Sequence, residues 1–177
     1  MARIDIRDHV KFDRTTVYET FRDKLAELQP YLPTIKEIDV ESYDRLDDTT
    51  VKIVNIWHAS DGDIPTLASK FIKPEMLQWT DRATWFDDQH LCNWDMEVGF
   101  LKEAISCSGT TRYIEKGNGT EVHIEGNLKV DASKIPGVPR LVASKVGDAV
   151  EAFVIKMITP NMKEVNRGCE RYLEKQA

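Results

Sequence analysis

The chain has 177 residues, 41% of them apolar or aromatic, and its 30 acidic and 24 basic side chains leave a net charge of −6 at neutral pH. A chain of this length buries about 70% of the surface its unfolded form exposes, so it folds without disulfides or a structural metal. The negative charge is spread with no basic cluster, which argues against nucleic-acid binding through phosphates and against docking on an anionic membrane surface. The amino terminus carries charges where a signal peptide needs an apolar core, and no apolar run approaches the ~18 residues of a membrane span. A cytoplasmic protein with no integral membrane segment is expected. Cys92, Cys107 and Cys169 form no CxxC pair and leave an odd thiol, so all three are expected to be free in a reducing compartment.

In chain order, Ile4, Ile6, Val10 and Phe12 alternate with Asp5, Arg7, His9 and Lys11, which predicts a strand over 3–12 with one wet face. Asp13 then caps a predicted helix over 14–28, where Val17, Phe21, Leu25 and Leu28 fall at helical spacing and Pro30 and Pro33 follow as stops. Residues 35–44 and 49–60 read as a hairpin turning at Leu46-Asp47-Asp48. The proline-bracketed segment 64–74 reads as a helical turn or lid-like connection. Further strands are expected at 77–87, 89–98, 104–116 and 120–131, the last two joined at Gly117-Asn118-Gly119, a pair of flanks and a turn that suit a tight hairpin.

From Pro139 onward, Val142, Val146, Val150, Phe153 and Met157, then Val165, Cys169 and Tyr172, make one apolar stripe of a long amphipathic helix. A straight helix over 139–176 would run ~57 Å against a radius of gyration of ~16 Å for such a chain, so a kink or restart is expected at Thr159-Pro160. No repeat, linker or low-complexity tract divides the chain, and a single domain over 1–177 is expected.

No chemistry-bearing motif stands out. His9, His58, His90 and His123 are isolated and the cysteines have no partner at ligand spacing, so no metal and no cofactor are expected. The serines lack a Gly-x-Ser-x-Gly elbow, and no catalytic residue is assigned. The informative residues are bulky side chains on strands. Trp79 and Trp85 share a parity with Leu77 and Ala83, Trp94 shares one with Met96 and Val98, and Asn55 and Trp57 share one with Val51 and Ile53. Ile124 and Leu128 share a face with Val122 and Val130, with Gly126 between them as either a bulge or room for a ligand. Asp81 falls among Trp79, Ala83 and Trp85; it is either a functional or paired group or is turned to water by a bulge.

The order strand, helix, short helix, six meandering strands and long carboxy-terminal helix resembles the helix-grip fold of the START-like superfamily, also called the SRPBCC or Bet v 1-like group. The stretch from Ile64-Pro65 through Phe71-Ile72 to Lys73-Pro74, Trp79, Trp85, Ser108-Gly109-Thr110, Gly117-Asn118-Gly119-Thr120 and the run from Val122 to Val130 before Ile135-Pro136-Gly137 looks like the bacterial DUF2505 type. The resemblance implies an α+β fold in which a curved seven-stranded antiparallel sheet wraps around the long helix, with short helices after strand 1. It also implies an apolar cavity for a lipid, sterol, quinone or polyketide-like molecule.

The expected cavity residues are Asn55, Trp57, Phe71, Trp79, Asp81, Trp85, Trp94, Met96, Ile124, Leu128, Val146, Val150, Phe153 and Met157. Residues 64–74 are read either as a gate with Phe71 as its plug or as an ordinary crossover loop. The leading functional expectation is a non-enzymatic binding or carrier protein for an apolar small molecule. A polyketide cyclase or aromatase-like enzyme using the same cavity and a ligand-free protein-interaction module are the alternatives.

Overall fold

The structure, a computed structural model, describes residues 1–60, 78–99, 102–135 and 137–177, with the backbone alone at 150, 153, 154 and 156–158. Seven strands form one sheet: β1 (Ala2–Val10), β2 (Ile35–Arg45), β3 (Thr50–Ala59), β4 (Gln78–Phe86), β5 (Leu91–Glu97), β6 (Ile105–Lys116) and β7 (Gly119–Val130). Their order is β1-β7-β6-β5-β4-β3-β2, and every neighbouring pair is antiparallel. Helix α1 (Arg14–Asp23) and helix α2 (Ala143–Gln176) complete the curved α+β helix-grip architecture. The strands alternate buried and exposed positions as period-2 sequences must when one face is covered.

Two helix boundaries depart from the sequence reading. Asp13 caps α1 by accepting from Thr16 N at 3.0 Å, but the α-helix stops at Asp23, and Leu25–Tyr31 tightens into a 3-10 segment that contains Pro30. Pro30 has no N–H to give Ala26, and its ring crowds the turn before it, so the α ladder cannot run on. Leu25 and Leu28 are buried nonetheless. The second departure lies in α2, which runs 34 residues through Pro160, so that of the kink or restart expected there the restart does not occur. An interior proline costs ~3 kcal/mol. Beyond it, however, Cys169, Tyr172 and Leu173 are all buried, and that packing holds the last turns in one helix. The helix begins at Ala143, so Val142 sits outside it in an exposed 3-10 turn and does not belong to the buried stripe. The gate expected at residues 64–74 lies outside the described residues.

α2 leans mainly on β1, β7 and the Leu25–Tyr31 segment. It is fastened there by a carboxylate that points inward from β1 among Ile4, Ile6 and Val10. Asp8 accepts from Asn166 Nδ2 at 3.0 Å and from Arg167 Nη2 at 2.9 Å, and Asn166 is 1% exposed. Burial alone would raise the Asp8 pKa, but these donors outweigh it and hold the group below its ordinary value. α1 is tied to the sheet through Asp87, which accepts from Tyr18 Oη at 3.0 Å, Arg22 Nη1 at 2.6 Å and Arg45 Nη1 at 3.2 Å.

The middle of the sheet contains a notch made by absent side chains. Gly109 and Gly126 are paired across β6 and β7, and the Trp94 ring lies over both. A Cβ on Gly126 would stand 2.8 Å from Trp94 Cη2, so the space at Gly126 belongs to Trp94. A Cβ on Gly109 would come within 2.2 Å of the Glu125 carbonyl oxygen and 2.5 Å of Trp94 Cζ2. Backbone cannot swing away as a side chain can. Gly109→Ala is therefore expected to destabilise the protein by ~1–3 kcal/mol in urea unfolding, with the larger end reached if β6 must shift. A variant as stable as the parent would show that the two strands are not packed this closely.

Candidate functional site

Between the sheet and the helices lies a chamber of about 140 Å³. β3 supplies Trp57, β4 supplies Asp81, Ala83 and Trp85, β5 supplies Cys92, Trp94 and Met96, and β6 and β7 supply Thr111, Tyr113, Val122 and Ile124. Phe21, Leu25, Met162, Val165 and Asn166 close it from the helical side. The walls are almost wholly apolar, and among the described residues no lysine, arginine or histidine lines them.

Six residues expected at a cavity meet here: Trp57, Asp81, Trp85, Trp94, Met96 and Ile124. Asn55 and Trp79 stand beside the chamber, as the strand partners of Asp81 and Trp57 respectively. Leu128 is buried in the core but is not part of the chamber wall, and half-buried Val146 is not part of it either. Phe71 lies outside the described residues, and the side chains of Val150, Phe153 and Met157 do as well. The sequence reading did not place Phe21, Leu25, Cys92, Thr111, Tyr113, Val165 or Asn166 at the cavity. Each is an ordinary core or polar position along its own element, and only the assembly of five strands and three helical segments brings them to one space.

Aromatic packing fixes the indoles. Trp57 and Trp79 stack at 5.6 Å between centroids with planes 14° apart, and Trp85 stacks on Tyr113 at 6.1 Å while Tyr18 meets it edge-on at 5.4 Å. Trp94 donates its N–H to Thr111 Oγ1 at 3.1 Å. The other three indoles have no such outlet among the described residues. Trp57 Nε1, Trp79 Nε1, Trp85 Nε1, Asn55 Oδ1 and Asp81 Oδ1 are buried, and among the described residues none has a hydrogen-bond partner. Buried polar groups are nearly always paired, because each orphan costs ~1–3 kcal/mol. Three of the five residues, Trp57, Asp81 and Trp85, line the apolar chamber, which gives it polar atoms that a ligand could satisfy.

Asp81 is the most strained of the five. No bulge interrupts β4 around it, so the side chain faces inward and is not turned to water. Burial pushes its carboxyl up to about 7; Asn55 and Trp57 lie close enough to favour the ionised form a little, and Asp95 adds to the rise. Burial likewise raises the Cys92 thiol and the Tyr113 phenol, which keeps both neutral. All three cysteines are free and buried.

On the opposite face of the sheet, among the described residues, two groups of side chains hold metal-compatible atoms within 4.8 Å of one another: Asp5, His123 and Glu125, and separately Glu37, Asp39 and His58. They were invisible to spacing rules because each draws on two strands. The first is already an ion-pair network, with Arg3 and Arg112 both on Glu125 and His123 Nε2 3.0 Å from Asp5. The second is mostly exposed.

A curved antiparallel sheet gripping a long helix is the helix-grip fold of START-like and Bet v 1-like proteins. Residues 6–158 match the model of the family DUF2505, described as a protein of unknown function, and the chain belongs to that family. No curated protein matches it in sequence. Among solved structures it is similar to TTHA0849 from Thermus thermophilus, with a TM-score of 0.70 at 16% identity over 99% of each chain. It is also similar to the Zhui aromatase/cyclase from Streptomyces sp. R1128, with a TM-score of 0.66 at 15% identity over 97% of this chain and 95% of that one. The ginseng major latex-like protein 151 from Panax ginseng gives a TM-score of 0.57 at 14% identity over 97% and 96%. At these identities the likeness is one of fold. No helix among the described residues is long and apolar enough to cross a membrane.

The position of Asp81 has a measurable consequence for stability. Its folded pKa lies above the unfolded value, so its contribution is full below pH ~4 and is lost as pH rises through about 7. The whole span corresponds to about 4 kcal/mol. Asp81→Asn should therefore gain stability over the parent progressively between pH 4 and 7 and hold that gain above. Urea unfolding of both proteins across this range checks it, and parallel curves would mean that Asp81 is ionised in the fold.

Proposed function

We propose that this protein binds an apolar small molecule in the chamber between the sheet and α2. The observation that carries the reading is an apolar pocket whose lining includes three residues with unsatisfied buried polar atoms, Trp57, Asp81 and Trp85, which is how small-molecule sites combine apolar walls with a few orienting groups. Size narrows the occupant. A cavity of ~150 Å³ holds a benzene ring, whereas drug-sized ligands occupy ~300–1,000 Å³. A space of about 140 Å³ therefore suits one substituted ring, such as a quinone head or an aromatic polyketide fragment, better than a sterol.

Thermal unfolding with p-cresol and with cholesterol tests this reading, alongside solvent extraction and mass spectrometry of the purified protein. A ligand at ~100 times its Kd adds ~2.7 kcal/mol. A rise in Tm with the phenol and none with the sterol is expected. No shift with any single-ring compound would remove the reading.

A second reading is favoured by one observation, the buried Asp81 carboxyl with its proton held to about pH 7, in a fold shared with aromatase/cyclases. In such an enzyme Asp81 would exchange a proton with a bound carbonyl compound. Asp81→Asn would then abolish turnover while ligand binding persists, and a parent protein that binds ring compounds but transforms none of them is a carrier.

A further inference from the structure

Trp94 stands in the middle row of the chamber. Asp81 and Met96 lie in register on one side of it, and Trp85, Cys92, Thr111 and Ile124 lie in register on the other. Within its own row its neighbours are Ala83, Gly109 and Gly126, which carry a single methyl group among them. At Gly109 and Gly126 the strands β6 and β7 present backbone alone, so the indole itself is the chamber floor there. Its N–H bond to Thr111 Oγ1, 3.1 Å long, keeps the ring down on the two glycines.

The indoles that line the chamber differ in what would replace them. Trp57 has Trp79 stacked against it, and Trp85 has Tyr113 stacked against it with Tyr18 edge-on. Side chains of that size relax into a vacated space, and a site that collapses leaves little cavity behind. Beneath Trp94 lies the backbone of Gly109 and Gly126, fixed by the β6–β7 ladder, and backbone does not swing into a gap. Space vacated by Trp94 would therefore persist. An indole is larger than the benzene ring that a cavity of ~150 Å³ holds, so losing it would roughly double a chamber of about 140 Å³.

We propose that Trp94 is the specificity-determining residue of the chamber: lying on Gly109 and Gly126, it fills the place a second ring would need and limits the occupant to one. This rests on reading the chamber as a ligand site. Monocyclic phenols and quinones are admitted, and fused bicyclic ones are turned away by the Trp94 ring.

The probes are p-cresol and 2-naphthol, which carry the same hydroxyl and differ by a fused ring, each titrated calorimetrically into the full chain and its variants. By buried apolar area alone the naphthol would bind more tightly, so the opposite order reads the size limit. The parent is expected to bind p-cresol about tenfold more tightly than 2-naphthol. Trp94→Leu should reverse that order. Trp94→Phe keeps a ring on the glycines and disturbs the packing less, and it should move the ratio the same way by about threefold. Trp85→Leu removes an indole of the same size whose aromatic neighbours close in, and it should weaken both compounds without reversing their order. If the parent takes the naphthol as readily as the cresol, if both Trp94 variants leave the ratio unmoved, or if Trp85→Leu reverses it equally, Trp94 does not set the limit, while the ligand-site reading stands. If neither compound binds the parent or Trp94→Leu, both fall. Circular dichroism establishes that each variant is folded; should Trp94→Leu fail to fold, the parent and Trp94→Phe decide.

Discussion

Everything at the chamber depends on how α2 is held. A seven-stranded sheet with one apolar face must be covered, and a helix free to settle would fill the space it covers. The inward carboxylate of Asp8, bonded by Asn166 and Arg167, fixes the helix over β1 and β7 by polar geometry as well as by apolar contact. Such a pairing is directional, and without Arg167 the Asp8 carboxylate, a fifth exposed, would lose its charged partner. With α2 held to that side, the concave face of β3 to β7 is not packed solid, and the chamber lies there.

The second determinant is the distribution of bulk within one row of the sheet. Across the strands, Ile53, Ala83, Trp94, Gly109, Gly126 and Ile4 are neighbours in register. Small residues on either side of Trp94 let a large indole lie flat and join Thr111 through its N–H. Trp85, one row away, lies between Val51 and Cys92, and Trp57, two rows away on the other side, lies between Ile38 and Trp79; among the described residues neither indole N–H has a partner. Identical residue types thus play different parts, and the difference is set by what lies next to them on the sheet.

Much of this was legible in the sequence. Strict alternation along β3, β4 and β5 put Asn55, Trp57, Asp81, Trp85, Trp94 and Met96 on one face, because the period of a strand leaves no freedom once one member is known to be inside. The ends of the helices were not legible. Pro30 and Pro160 carry the same local preference, yet one sits in a 3-10 segment and the other inside a continuous helix, although buried side chains flank both, Leu28 and Leu32 the first and Cys169 the second. Nor could alternation tell Leu128 from Ile124: both face inward on β7, and only the placement of α2 determines which one meets open space. The orphaned indole edges were out of reach for the same reason, because hydrogen-bond partnership is a property of neighbours in space.

The edges of the sheet carry a consequence of their own. An open sheet exposes an unpaired row of N–H and C=O groups at each end, and a flat edge is a template for another molecule's strand. β2 forms one such end, and its pairing with β3 slips between Ile35 and Glu37 and again between Val40 and Ser42. Each slip breaks the repeat of the free edge, and Lys36, Glu37, Asp39, Glu41 and Asp44 place charge along it. A second copy arriving in extended form would meet an interrupted ladder and like charges. The same irregularities that look like flaws in the hairpin therefore act against edge-to-edge polymerisation, leaving Val40 and Tyr43 exposed on β2 without making it adhesive.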